Sequence, residues 1–133
     1  MLRRFGHILL ATLMVGLLVA TAVGQKAARV KYNPATETKF TGTIEEVKEF
    51  QCPVSGTVGY HLVLRSGEQV HIVHVAASKF LRDYEIVFAK GEQVQVLGSK
   101  VTLEGGEEGV LAREITRGQS TYAFRDKDGN PLW

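Results

Sequence analysis

Gln69-Val70-His71-Ile72-Val73-His74-Val75-Ala76-Ala77-Ser78-Lys79-Phe80-Leu81-Arg82-Asp83-Tyr84 changes its repeat part-way along. Over Gln69–Val75 the side chains alternate with the period of a strand, Val70 and Ile72 on one face and His71, Val73 and Val75 on the other. From Ser78 to Tyr84 the pattern becomes helical, with Phe80, Leu81 and Tyr84 at i, i+1 and i+4. A helix of two turns at most is unstable in water, so this one must dock on a core. It is the only helix the mature sequence predicts, and it splits a run of strands into three before and two after.

The flanking sequence supplies those strands. Upstream, Phe40, Gly42 and Ile44 alternate with Lys39, Thr41 and Thr43 until Glu45-Glu46 shifts the phase and Val47 resumes the apolar face. A bulge at that point lets one long strand bend, as barrel strands must. Cys52–Gly56 is loop by its proline and glycine. Tyr60, Leu62 and Leu64 then alternate with His61, Val63 and Arg65, and Ser66-Gly67-Glu68 predicts a hairpin turn into Gln69. Downstream, Val94 and Val96 alternate with glutamines, Gly98-Ser99 predicts a kink, and Val110–Thr116 is a fifth strand. Thr121–Arg125 is a short extra strand, and Asp126–Asn130 a turn near the chain end.

The first two dozen residues read as an address. Arg3 and Arg4 precede the nearly unbroken apolar run Ile8–Val19, and small residues follow up to Gly24. That is the order of a secretory signal, with cleavage fitting after Ala22 or after Gly24. The run Ile8–Val23 is shorter than the roughly 20 residues of a spanning helix. Taking 1–24 as signal, 25–37 is a polar lead-in and 38–133 the folded domain. Removing 24 residues and two arginines from a 133-residue chain with 16 basic and 14 acidic side chains leaves 109 residues, 14 of each sign. A neutral product has no global attraction to phosphate backbones or anionic lipid.

Strand, strand, strand, helix, strand, strand is the order of the OB-fold, a five-stranded partly open barrel. The expected fold is therefore all-β, an OB-fold-like barrel with one short helix between strands three and four and a C-terminal extension. The stretches Lys90–Val101 and Leu111–Ile115, with the ending Arg125-Asp126, Gly129 and Pro131-Leu132-Trp133, resemble small exported bacterial OB-fold proteins. These are similar to the C-terminal domain of some magnetosome-associated proteins. The resemblance spans about residues 36–133 and implies a bacterial cell-envelope setting. It brings no catalytic residues, and the Cys-x-x-Cys-His haem attachment of some magnetosome proteins does not occur here.

Chemistry-bearing patterns are few. Gly-x-Ser-x-Gly, His-Glu-x-x-His and Gly-x-x-x-x-Gly-Lys are missing from the sequence. Asp126–Asn130 looks like part of a calcium loop, but the chain ends before the bidentate glutamate such a loop needs. A single cysteine, Cys52, excludes an internal disulfide. It reads as a loop cysteine, with an intermolecular disulfide, a redox-sensitive thiol or a ligand as the alternatives. His71 and His74, three apart, fall on opposite faces of their strand, whereas His61 and His71 could meet across the hairpin. Without a third ligand that pair is a weak metal site, so no metal or cofactor is expected unless Cys52 approaches from its loop.

In OB-folds the face of strands two and three commonly receives the ligand, flanked by the loops after strands one and four. Here that face presents His61, Val63, Arg65, His71 and Val73, between the loops Phe50–Val58 and Glu104–Glu108. Arg65 is its one cation, no aromatic platform accompanies it, and the second loop carries three glutamates, so nucleic acid is disfavoured. The sequence therefore predicts a periplasmic or secreted monomer without catalytic activity and without a membrane span after cleavage. Its expected partner is a protein, peptide or small envelope ligand. The alternatives are single-stranded nucleic acid or oligosaccharide on the barrel, and a metal or redox role for Cys52 and the histidines.

Overall fold

The computed structural model describes residues 30–52 and 54–133. The predicted signal at 1–24 and the first part of the lead-in lie outside the described residues. A 3-10 turn, Pro34–Thr36, leads into β1 (Glu37–Gln51), β2 (Val58–Ser66), β3 (Gln69–Ala77), the helix α1 (Ser78–Asp83), β4 (Gln93–Thr102), β5 (Glu108–Arg117) and β6 (Ser120–Ala123). The sheet order is β3-β2-β1-β4-β5-β6, and β3 also pairs with β5. That last contact is parallel and two pairs long, Val73 with Val110 and His74 with Leu111. It closes five strands into the OB-fold barrel, while β6 forms a hairpin with β5 as an extension.

The strands curl at the places where the sequence breaks its alternation. In β1 the pairing with β2 shifts between Ile44 and Glu46, leaving Glu45 as the extra residue of a bulge. Before the bulge β1 pairs with β4, and after it with β2, so one strand serves both halves of the barrel. A second shift, between Leu97 and Gly98, lets β4 pass close to β5. A side chain at Gly98 would start 2.5 Å from the Leu111 carbonyl oxygen. The residue is glycine because backbone occupies the space of a Cβ.

Ile44, Leu62, Leu64, Val73, Val75, Val94, Val96, Val110 and Ile115 fill the barrel, and Phe124 and Phe88 close its sides. Leu81 of α1 reaches into this core and is almost wholly buried. The helix has no side-chain N-cap, so docking through Leu81 is its main anchor. Tyr84 departs from the helical expectation. It lies outside the core, 68% exposed, with its ring against Phe80 at 4.8 Å, because the helix ends at Asp83 and Glu85 turns away at φ 55°.

The described part of the lead-in is tied down. Asn33 caps the 3-10 turn and donates its backbone N–H to Ser99 Oγ, while the Thr36 hydroxyl donates to the Lys100 carbonyl. The Tyr32 hydroxyl and the Arg113 guanidinium both donate to Glu37, at 2.6 and 2.9 Å. The two bonds, from Tyr32 first and then Arg113, hold the Glu37 carboxyl below its ordinary range. At the other end, the Asp126 carboxylate accepts from the N–H groups of Asp128 and Asn130, which makes the terminal segment a turn.

Replacing Gly98 by alanine forces β4 off β5. We expect Gly98→Ala to lose about 1–3 kcal/mol of stability in urea unfolding. An unchanged midpoint would contradict the close approach.

Candidate functional site

The β2–β3 hairpin sets the site by counting. Its turn is the two residues Gly67 and Glu68, with Gly67 at φ 62° and Ser66 paired to Gln69. His61 stands five residues before Ser66 and His74 five after Gln69, so the two face each other across the strands. Leu62 with Val73 and Leu64 with His71 alternate with them on the core side. One step beyond His61 the register shifts, and Tyr60 pairs with Ala76.

Cys52 reaches the same place from the other hairpin. The loop after β1 is held by Cys52 N–H to the Thr57 carbonyl and Gly56 N–H to the Cys52 carbonyl, both 2.8 Å. This turns the thiol in under β2. Gly59 makes room for it, since a Cβ there would lie 2.7 Å from Cys52 Cβ and 2.9 Å from the His61 ring. The Cys52 sulfur is 3.3 Å from His61 Nε2 and 3.4 Å from His74 Nδ1. One ligand atom from each of the three residues lies within 4.8 Å of the others, and all three residues are buried. Phe50 stacks flat on His61 with ring centroids 3.9 Å apart. His74 meets the His61 ring edge-on at 4.6 Å, and Gly109 backs it without a side chain. The far nitrogens, His61 Nδ1 and His74 Nε2, have no hydrogen-bond partner among the described residues.

Burial by itself pushes the Cys52 thiol up. Hydrogen bonds from His61 and His74, with backbone bonds at Ser55 and Val54, outweigh it and bring the thiol down to about 5. Beside the sulfur is a small pocket walled by Tyr60, Ala76, Arg125 and Trp133. Its free space, about 10 Å³, is roughly what one water or a single ion occupies. Arg125 is buried there, donating to the Gly129 carbonyl and lying 4.9 Å from the Trp133 ring centroid.

The face expected to bind ligand divides in three. His61 and Val63 point away from the barrel core but are buried. Val73 is in the core itself, because Val70 and Ile72 are as apolar as Val73 and Val75 and the alternation alone does not choose between faces. His71 shares the Val73 side, against Phe40 at 4.4 Å, so it does not meet His61. Arg65 is exposed and paired with Glu45. The sequence pattern joins His61 to His71; the two-residue turn instead sets His61 opposite His74. Gly59, Gly109, Arg125 and Trp133 carry no sequence signal for this site.

A second concavity opens where β3 and β5 part. Before the two pairs at Val73 and His74, residues Gln69–Ile72 have β2 on one side and no strand on the other among the described residues. The groove along this edge has a volume of about 420 Å³ and is lined by Gln69, Val70, His71, Lys100, Thr102 and Glu108 among others.

The model of the MamS/MamX magnetosome protein family matches residues 36–122. The chain belongs to this family. The part matched to MamS/MamX proteins includes Cys52, His61, His74 and the whole groove, and stops short of Arg125 and Trp133. Among solved structures the chain is similar to the mitochondrial single-stranded DNA binding protein Rim1 from S. cerevisiae. The two share 13% identity and a TM-score of 0.41, over 65% of this chain and 96% of that one. None of the curated proteins compared with this MamS/MamX chain matches it. Among the described residues no helix is long and apolar enough to cross a membrane.

A depressed thiol stabilises the fold fully above its ordinary value, near 9, and loses that contribution as pH falls through about 5. Ultraviolet thiolate absorbance should therefore appear with a midpoint near pH 5 and be missing in Cys52→Ser. A midpoint near 9 would contradict the histidine contacts.

Proposed function

We propose that this protein is an exported, non-catalytic binding module of the bacterial cell envelope. Its groove takes a short extended segment of a partner protein. The observation that carries the reading is the open edge of β3. Backbone groups of Gln69–Ile72 have no strand beside them on the groove side among the described residues. An edge of this kind binds an extended peptide by adding it as a strand, with main-chain hydrogen bonds giving affinity and flanking side chains giving choice. Val70 stands 47% exposed on that edge, and Lys100 and Glu108 offer one charge of each sign across it.

The same lining argues against single-stranded nucleic acid. Among the described residues Lys100 is its only lysine or arginine, Glu108 repels phosphate, and no Phe, Tyr or Trp lines it as a stacking platform. Export follows from the sequence order of Met1–Gly24, and membership of a magnetosome protein family supports the bacterial setting.

A photo-crosslinking amino acid placed at Val70 or Thr102 of the full chain tests this in native cells. We expect both positions to give an adduct whose mass spectrum maps to one polypeptide segment. The same label at Val58, which is 49% exposed at the far end of β2, should give none. Equal labelling from Val58, or no polypeptide adduct from Val70, overturns the groove as the binding surface.

A further inference from the structure

We propose that Cys52, His61 and His74 form a site for a single thiophilic metal ion, and that the ion is monovalent copper. The geometry is already that of a ligand set. An ion about 2.3 Å from a sulfur and about 2.0 Å from a nitrogen, at a near-tetrahedral angle, holds the two roughly 3.5 Å apart. The Cys52 sulfur stands 3.3 and 3.4 Å from the near nitrogens of His61 and His74. One thiolate with two imidazoles is a donor set for soft or borderline ions, and no carboxylate joins it to favour a hard one.

Each ligand is held from outside. The Thr57 and Gly56 bonds fix the Cys52 loop, the Phe50 ring lies flat on His61, and Gly59 and Gly109 leave the space the sulfur and His74 fill. On the open side the pocket offers room for one small particle against Tyr60, Ala76 and Trp133. Among the described residues it supplies no fourth cysteine, histidine or carboxylate ligand, so the site favours an ion content with three.

Charge selects the valence. One thiolate and two neutral imidazoles carry −1, which a monovalent ion cancels. A divalent ion would leave +1 buried beside Arg125. That guanidinium is itself buried and donates to the Gly129 carbonyl, with no carboxylate among the charged groups acting on it in the described residues. Two uncompensated positive charges buried side by side are strongly disfavoured.

The test is an anaerobic titration of the full chain with Cu(I) against bicinchoninate, with Zn(II) in parallel. We expect one equivalent of Cu(I), and affinity lower by at least roughly 100-fold in Cys52→Ser and tenfold in His74→Gln. Arg125→Gln should raise Zn(II) affinity about tenfold while leaving Cu(I) within about twofold. The copper X-ray absorption spectrum of the unsubstituted chain should show one sulfur and two nitrogens, a reading that needs no variant to fold. Absence of stoichiometric Cu(I), its retention by folded Cys52→Ser, or a spectrum without sulfur overturns the site. Stoichiometric Zn(II) indifferent to Arg125→Gln overturns the monovalent assignment.

Discussion

The parallel contact of β3 with β5 is two residue pairs long, Val73 to Val110 and His74 to Leu111. Every other pairing in the sheet is antiparallel and runs along most of a strand. These two pairs turn an open sheet into a barrel, so that Val73, Val110 and Ile115 face one interior rather than two surfaces. They also have two local consequences. One residue before the seam on β5, Gly109 comes against the His74 ring and completes the wall of the cysteine–histidine cluster. Before the seam the strands part and leave the groove along Gln69–Ile72. A longer seam would fill the groove, and no seam would expose the cluster.

Much of this architecture was written locally. The bulge at Glu45 shows as a break in alternation, the kink at Gly98 as a glycine inside a strand, and the β2–β3 turn as Gly67 flanked by polar residues. Phe80, Leu81 and Tyr84 read as the apolar side of a helix too short to stand alone, and of the three Leu81 is the one wholly buried. The face of β3 did not read correctly, because that strand is apolar on both sides: Val70 and Ile72 have the same character as Val73 and Val75. One of its faces packs the barrel, and the other carries His74 toward His61.

The cluster was misread for a different reason. The observed two-residue turn pairs His61 with His74, whereas the sequence pattern joins His61 to His71 and sets His74 on the other face. The arrival of Cys52 depends instead on a loop crossing under β2 at Gly59, a close approach between segments that no periodicity encodes. Arg125 and Trp133 come from farther still, beyond the stretch matched by the MamS/MamX family, and wall the pocket through the terminal turn at Asp126–Asn130. Cys52, His61 and His74 lie within the stretch matched by the family, and Arg125 and Trp133 lie outside it.

Groove and cluster thus meet at one short seam, which His74 helps to form, and the two sites depend on it. Residue-resolved amide hydrogen exchange measures it directly. The account predicts slow exchange, at the rate of global unfolding, for the amides that bridge the strands around Val73–His74 and Val110–Leu111. It predicts fast exchange for those of Gln69–Ile72 that point away from β2. Uniform protection from Gln69 to Ala77, or open exchange at Val73 and His74, would contradict it.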